Sequence, residues 1–265
     1  MRVGRAAAAL ALGGGLAAGV LAVTLSDDGS REGKGAANED VATLGDPGAG
    51  RGRASGGNAS STPRSGDTGA RDGPRPAARP RIAQRPIPFS GGRVSDTRRY
   101  ALRHYGIRDH RLRDPRVIVQ HFTVIDSFSA VFEAFARNAP DVELGELPGL
   151  CAHYVVDRDG RIYQLVSTRT MCRHTVGLNH TAIGIEHVGR SDAEVLGRAR
   201  QLRASLALTR WLQARHRIRT RNVIGHSESL RSPYHRERVE RLRRRTHDDF
   251  SAQTMARYRR LLAPR

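Results

Sequence analysis

Residues 117–123, VIVQHFT, decide how the rest of the chain is read. Their β-branched and apolar residues specify a buried strand, and the strand ends at His121, where backbone gives way to loop. A single histidine at a strand end is most simply a hydrogen-bonded core residue. Three later segments change that reading, because each sets a ligand-type side chain beside a strand-like or turn-like run. They are AIGIEHVG with Glu186, VIGHSESL with His226, and THDDF with His247 and Asp249.

Around that strand the pattern alternates between strand and helix. AHYVVDRDGRIYQLV, residues 152–166, is a hairpin of two alternating apolar runs about Asp159 and Gly160, a turn pair that supplies the positive φ a tight hairpin needs. Residues 183–188 and 222–224 read as further strands. Ser95 caps a helix over 95–104 that Gly106 stops, with Tyr100 and Ala101 facing inward. Ser127 or Ser129 opens a second helix over Val131, Phe132 and Phe135, closed by Asn138 and Pro140. Leu202, Leu206, Trp211 and Leu212 give residues 201–215 one apolar helical face. Ser232 followed by Pro233 predicts a helix through Arg244, and a last helix starts near Ser251. The expected fold is α/β, a single domain with a central mixed sheet flanked by helices.

The chain does not have that character throughout. Arg2 and Arg5 precede an uncharged run over 6–25, which fits an export signal. The run is about the ~20 residues a membrane span needs, so residues 1–25 read as a signal peptide or an uncleaved signal anchor. Either way the rest of the chain is expected outside the cell, extracellular or wall-associated, touching the membrane only through that segment. Residues 26–84 are Gly, Pro, Ser, Asp and Arg with almost nothing to bury, and read as a disordered linker. The folded domain is expected over 85–265, with a monomer as the working state. Lys and Arg number 45 against 26 Asp and Glu, a net charge of +19, and an anionic partner follows. Outside a cell an anionic wall polymer is the more natural partner, and nucleic acid is not expected. Cys151 and Cys172 are the chain's two cysteines. In an exported protein they are expected to pair, closing a loop of roughly twenty residues worth about 3 kcal/mol.

The polar residues at the ends of these strands suit a hydrolytic zinc centre. Such a centre takes about three His or carboxylate ligands, leaves a position open, and keeps a further carboxylate nearby to accept a proton. His121 and His226 both close strands at the edge where open α/β sheets place their sites. Glu186 lies inside an apolar strand, where a carboxylate is either paired with one of the many arginines or functional.

Taken together, VIVQHFT, AHYVVDRDGRIYQLV, HTVGLNHTAIGIE and VIGHSES, in this order over residues 116–250, resemble the zinc-dependent N-acetylmuramoyl-L-alanine amidases, the fold shared with peptidoglycan recognition proteins. The resemblance implies hydrolysis of the amide joining N-acetylmuramic acid to L-Ala of the peptidoglycan stem, with Zn2+ as cofactor. It implies His121 and His226 as metal ligands and Glu186 as the carboxylate that activates water. His174 and Asn179 fall in the segment that borders the substrate groove, where hydrogen bonding within the loop is an equal reading. The third ligand departs from the family pattern: SLRSPYHRE after His226 holds neither Asp nor Cys where one is usual. His235 stands at the right distance but on an expected helix turn. Asp249 in THDDF is the preferred choice, because His247 two residues earlier then takes the place of the family's oxyanion-stabilising lysine. Without a third ligand the same fold would be a non-catalytic peptidoglycan-binding module, and a purely Arg-driven polyanion binder is the reading furthest from these motifs.

Overall fold

Strand β2 (Val117–Phe122) is buried along almost its whole length, the mark of a strand covered on both faces. The computed structural model describes residues 77–263, and there β2 lies between β5 (Ala182–His187) and β6 (Val223–Gly225), parallel to both. β5 pairs in parallel with β3 (Tyr154–Val156), which turns back antiparallel onto β4 (Ile162–Gln164). β1 (Ile82–Gln84) adds to β4 and completes a six-stranded mixed sheet of order β1-β4-β3-β5-β2-β6. The mixed α/β expectation therefore holds.

The helices follow the same logic. α1 (Gly91–Tyr105) ends at Gly106, whose φ of 71° is the left-handed conformation glycine adopts freely. α2 (Phe128–Ala136) begins at Ser127, whose hydroxyl accepts from the Ala130 amide. α3 (Asp192–Gly197) and α4 (Ala199–His216) run consecutively, and α5 (Ala252–Leu262) is capped by Ser251. None of the helices among the described residues is long and apolar enough to cross a membrane.

Strand alternation divides the side chains of the centre. Ile118 of β2 and Ile183 and Ile185 of β5 join Leu208 and Leu212 of α4, and Met255 and Tyr258 of α5, in one apolar core. Gln120 and His187 point the same way, bonding Thr209 and Ser205 of α4. The opposite face carries Val119 and His121 from β2 and Ala182, Gly184 and Glu186 from β5. A second apolar cluster lies under α2, with Val131, Phe135, Val155 and Leu165 around the Cys151–Cys172 bridge.

Four expectations need correction. The chain enters the sheet at Ile82, inside the span read as linker, because β1 needs only one partner strand and few apolar residues. α1 starts at Gly91 rather than Ser95, since Ser90 supplies the extended cap conformation. No helix runs over 232–244: the segment is irregular with a single 3-10 turn at Glu240–Leu242. Its amides are taken elsewhere, Arg236 N–H by the Gly177 carbonyl (2.9 Å) and Arg238 N–H by the His104 carbonyl (3.0 Å), and tertiary partners override the start signal. α3 was not foreseen, although Ser191 and Glu194 form a capping pair. The export segment, residues 1–25, and the linker up to residue 76 lie outside the described residues.

Candidate active site

His121 occupies the last turn of the pleat in β2, directly opposite Glu186 in the register with β5. In a parallel pair, opposed residues share a face, so imidazole and carboxylate open onto the same side of the sheet. His226 follows Gly225 at the end of β6, where the strand passes into a 3-10 turn over His226–Arg231. Asp249 arrives from the loop before α5. The His121, His226 and Asp249 ligand atoms all lie within 4.8 Å of one another. Nδ1 of His121 donates to Asp249 Oδ2 (2.9 Å), and Nδ1 of His226 lies 3.1 Å from Oδ1.

Charge in this cluster takes the form a metal requires. Burial lowers the His121 pKa against the pull of Asp249, leaving a neutral ring. Burial pushes the Asp249 carboxyl upward, but His226 and His121 outweigh it and hold the group well below the usual carboxylate range. A neutral His121 ring and an ionised Asp249 are the protonation states metal ligands take, and with His226 they make an N2O donor set that suits zinc. Glu186 differs. Burial, and then the nearby Asp249 charge, raise its pKa well above the ordinary value, and its Oε2 is buried without a hydrogen-bond partner. An orphaned carboxylate oxygen beside a ligand set calls for a further group, such as water.

The loop carrying Asp249 is fixed from several directions. Ser227 donates its amide to the Asp249 carbonyl (3.2 Å) and its hydroxyl to the Phe250 carbonyl (2.7 Å). The two oxygens of Asp192, first residue of α3, accept the amides of Phe250 and Ser251, both at 2.8 Å. Phe250 takes a φ of 53° and is wholly buried. A Cβ on Gly225 would lie 1.9 Å from the Phe250 carbonyl oxygen, so only glycine lets β6 pass this close. In the sequence, Asp192 is marked by nothing beyond the capping serine before it, Ser191.

Behind His121, Nε2 lies 3.2 Å from His174 Nδ1 and 3.3 Å from the Thr175 hydroxyl. His174 packs on Gly184, where a Cβ would come within 2.7 Å of its ring, and burial holds its pKa well below the usual value. Asn179 accepts from the amides of His174 and Thr175 (2.9 and 2.7 Å) and donates to the Tyr100 hydroxyl. Of the two readings left open for Asn179, hydrogen bonding within the loop is the one these contacts describe. His187 bonds the His121 carbonyl (2.8 Å), with its pKa pushed down to about 4 by burial.

His121, His174, Asn179, Glu186, His226 and Asp249 line a cleft of about 600 Å³. One wall is apolar, with Phe122, Ile125, Val131, Phe135 and Leu150, and the facing rim carries Arg190, Arg245 and His247. His247 sits with its ring 4.9 Å from that of His226 and its Nε2 3.1 Å from Glu143. Burial is the main reason its pKa is lowered, so near neutrality it offers an N–H donor rather than the full positive charge anticipated. His235 stands outside the cluster, against Gly177, with its Nε2 buried and unpartnered.

Residues 111–241 match the family model described as N-acetylmuramoyl-L-alanine amidase. Among solved structures, the chain is similar to AmpD, in a selenomethionine form, with 18% identity over 71% of this chain and 98% of that one, at a TM-score of 0.45. It is similar also to the N-acetylmuramoyl-L-alanine amidase LysC from Clostridium intestinale URNW, with 21% identity over 56% and 82% of the two chains and a TM-score of 0.38. A third is the E. coli amidase AmiD, solved with anhydro-N-acetylmuramic acid-L-Ala-D-gamma-Glu-L-Lys, with 23% identity over 55% and 58% and a TM-score of 0.37. Comparison with curated proteins finds no match.

Proposed function

We propose that the chain, whose residues 111–241 match the N-acetylmuramoyl-L-alanine amidase family model, is a zinc-dependent hydrolase of the amide between N-acetylmuramic acid and L-Ala in peptidoglycan stems. The observation that carries this reading is the meeting of His121, His226 and Asp249 donor atoms within 4.8 Å, beside a carboxylate with a free buried oxygen. His121, His226 and Asp249 would hold the ion. Zinc in such a set supplies Lewis acidity to a carbonyl oxygen and to water.

The chain's own groups then divide the work. Glu186 Oε2 accepts a proton from the attacking water and returns it to the leaving nitrogen of L-Ala. Burial, which raises its pKa, makes it a stronger proton acceptor than an exposed carboxylate. The apolar wall of Phe122, Ile125 and Val131 excludes bulk water from the reacting amide. His247 donates its N–H towards the developing oxyanion once Glu143 releases it, and Arg190 and Arg245 at the rim receive stem-peptide carboxylates.

Export through residues 1–25, with the linker that precedes β1 as a tether, would place this activity on the wall outside the membrane. The test is zinc content together with release of L-Ala-headed peptide from a muramyl peptide. One equivalent of zinc with release supports the reading. Zinc-loaded protein that binds the muramyl peptide and leaves it intact would make this a binding module on the same fold.

A further inference from the structure

One strap beside the cleft is dense in exposed arginines. Over residues 236–245, Arg236, Arg238, Arg241, Arg243, Arg244 and Arg245 are exposed, while Glu237 and Leu242 are buried. The strap is rigidly held: its amides bond Gly177 and His104, and Glu237 turns inward with Oε2 2.9 Å from His104 Nδ1. The guanidinium groups therefore project outward from a fixed backbone rather than from a solvated tail.

Contacts link these charges in succession towards the cleft. Beside Gly106, a Cβ would lie 2.6 Å from Arg238 Nη1 and 3.7 Å from Arg236 Nη2. Both guanidinium groups thus crowd one point, and neither has a salt bridge among the described residues. Next, Arg103 of α1 and Arg241 share a single oxygen, Glu146 Oε1 (3.0 and 3.4 Å), whose partner oxygen already faces His104 Nε2 at 3.1 Å. Then Arg245 pairs with Glu143, which His247 also contacts, and both Arg245 and His247 line the cleft. Three arginines thus lean on two carboxylates of one loop, and Arg236 and Arg238 beside them on none. Like charges so arranged repel, and an outside polyanion relieves that repulsion.

We propose that this line of guanidinium groups is a docking track for a linear polyphosphodiester without bases, of the poly(glycerol phosphate) class, and that the track delivers the polymer to the cleft mouth. Each guanidinium fork matches a phosphate bidentately. The charged groups neighbour one another in succession from Gly106 to the cleft mouth, the order in which a chain of phosphates would meet them. No exposed aromatic side chain lies between these arginines, since Tyr100 and Tyr105 are buried and Tyr234 partly so, and base stacking has no platform. The proposal goes beyond the amidase reading and does not depend on it.

The full-length chain is titrated with poly(glycerol phosphate), charge-matched duplex DNA and phosphatidylglycerol vesicles at several salt concentrations. The polymer binds tightest, and log Kd rises steeply with log salt, by about 0.7–0.9 per phosphate contact. Arg236→Gln combined with Arg238→Gln weakens polymer binding about tenfold at low salt and lowers the slope by about 1.5, with the melting curve unchanged. Equal binding by both proteins, or binding indifferent to salt, overturns the track. Tighter binding of DNA or vesicles, lost in the same variant, overturns the choice of occupant. Should that variant melt early, Arg243→Gln with Arg244→Gln on the same strap must weaken binding instead.

Discussion

Asp249 is the residue on which the candidate centre turns, because it is the one anion between two imidazoles. His121 and His226 both aim Nδ1 at it, and a metal ion competes for those same atoms. Asp249→Ala is expected to lose zinc stoichiometry while His235→Ala retains it, measured by metal analysis after dialysis; zinc retained in Asp249→Ala would return the third ligand to His235. Asp192 acts one step further out, holding the amides on either side of the Phe250 carbonyl. Asp192→Ala should weaken zinc binding by about 10–100-fold in a competition titration, and Asp192→Asn, which keeps one acceptor oxygen, should recover part of it. Loss of zinc affinity that Asn does not relieve would point to general unfolding. His121, His226 and Glu186 were legible in the sequence because each closes or interrupts an apolar strand. Asp192 was not, since its partners are backbone amides from a loop 58 residues away, and amides leave no trace in sequence.

At the scale of elements, strand periodicity carried further than helix signals. β2, the hairpin and β5 are specified by runs of β-branched and apolar residues, with β2, β3 and β5 buried along almost their whole length, and these fell into place within a residue or two. The helix expected over 232–244 failed because a serine and a proline state only where a helix can begin, while Gly177 and His104 carbonyls claimed the amides. The loop over 139–149, which walls the cleft, had no periodicity to read; it is shaped by buried Asp141 and Arg173. Asp141 accepts from the amides of Glu143, Leu144 and Glu146, and Arg173 pairs with it and donates to the Glu146 and Pro148 carbonyls (2.9 and 3.1 Å). Asp141→Ala leaves a buried guanidinium unpaired and should cost about 3–5 kcal/mol in urea unfolding. The same pair gives a pH dependence. Burial raises the Asp141 pKa, but the Leu144 amide and Arg173 more than offset this, and the net shift is downward. The unfolded chain then binds the proton more tightly, so the pair's contribution is complete above about pH 4 and declines as pH falls through the folded pKa. Urea midpoints of the native protein should drop between about pH 5 and pH 3, and those of Asp141→Asn should drop less; parallel curves would remove Asp141 from the acid limb.

Across the whole molecule, the sheet places its chemistry on one face and its larger apolar core on the other, and a single covalent link ties the site face together. Cys151 precedes β3 and Cys172 precedes His174, with Cα atoms 5.6 Å apart and a sequence separation of 21. The hairpin of β3 and β4 lies inside the loop this bridge closes, while the bridge itself is buried under α2. Cross-linking of this span restricts the unfolded chain by about 3 kcal/mol in the chain-entropy account. A domain of this size shifts its melting temperature by about 2–4 °C per kcal/mol. Calorimetry of Cys151→Ser/Cys172→Ser, or of the native protein fully reduced, should therefore show a melting temperature lower by on the order of 10 °C. Because Cys172 leads directly into the loop that packs His174 and Thr175 against His121, zinc affinity should fall together with stability. Unchanged affinity in a variant that melts early would show that Asn179 and the Gly184 contact hold the His174 loop without the bridge.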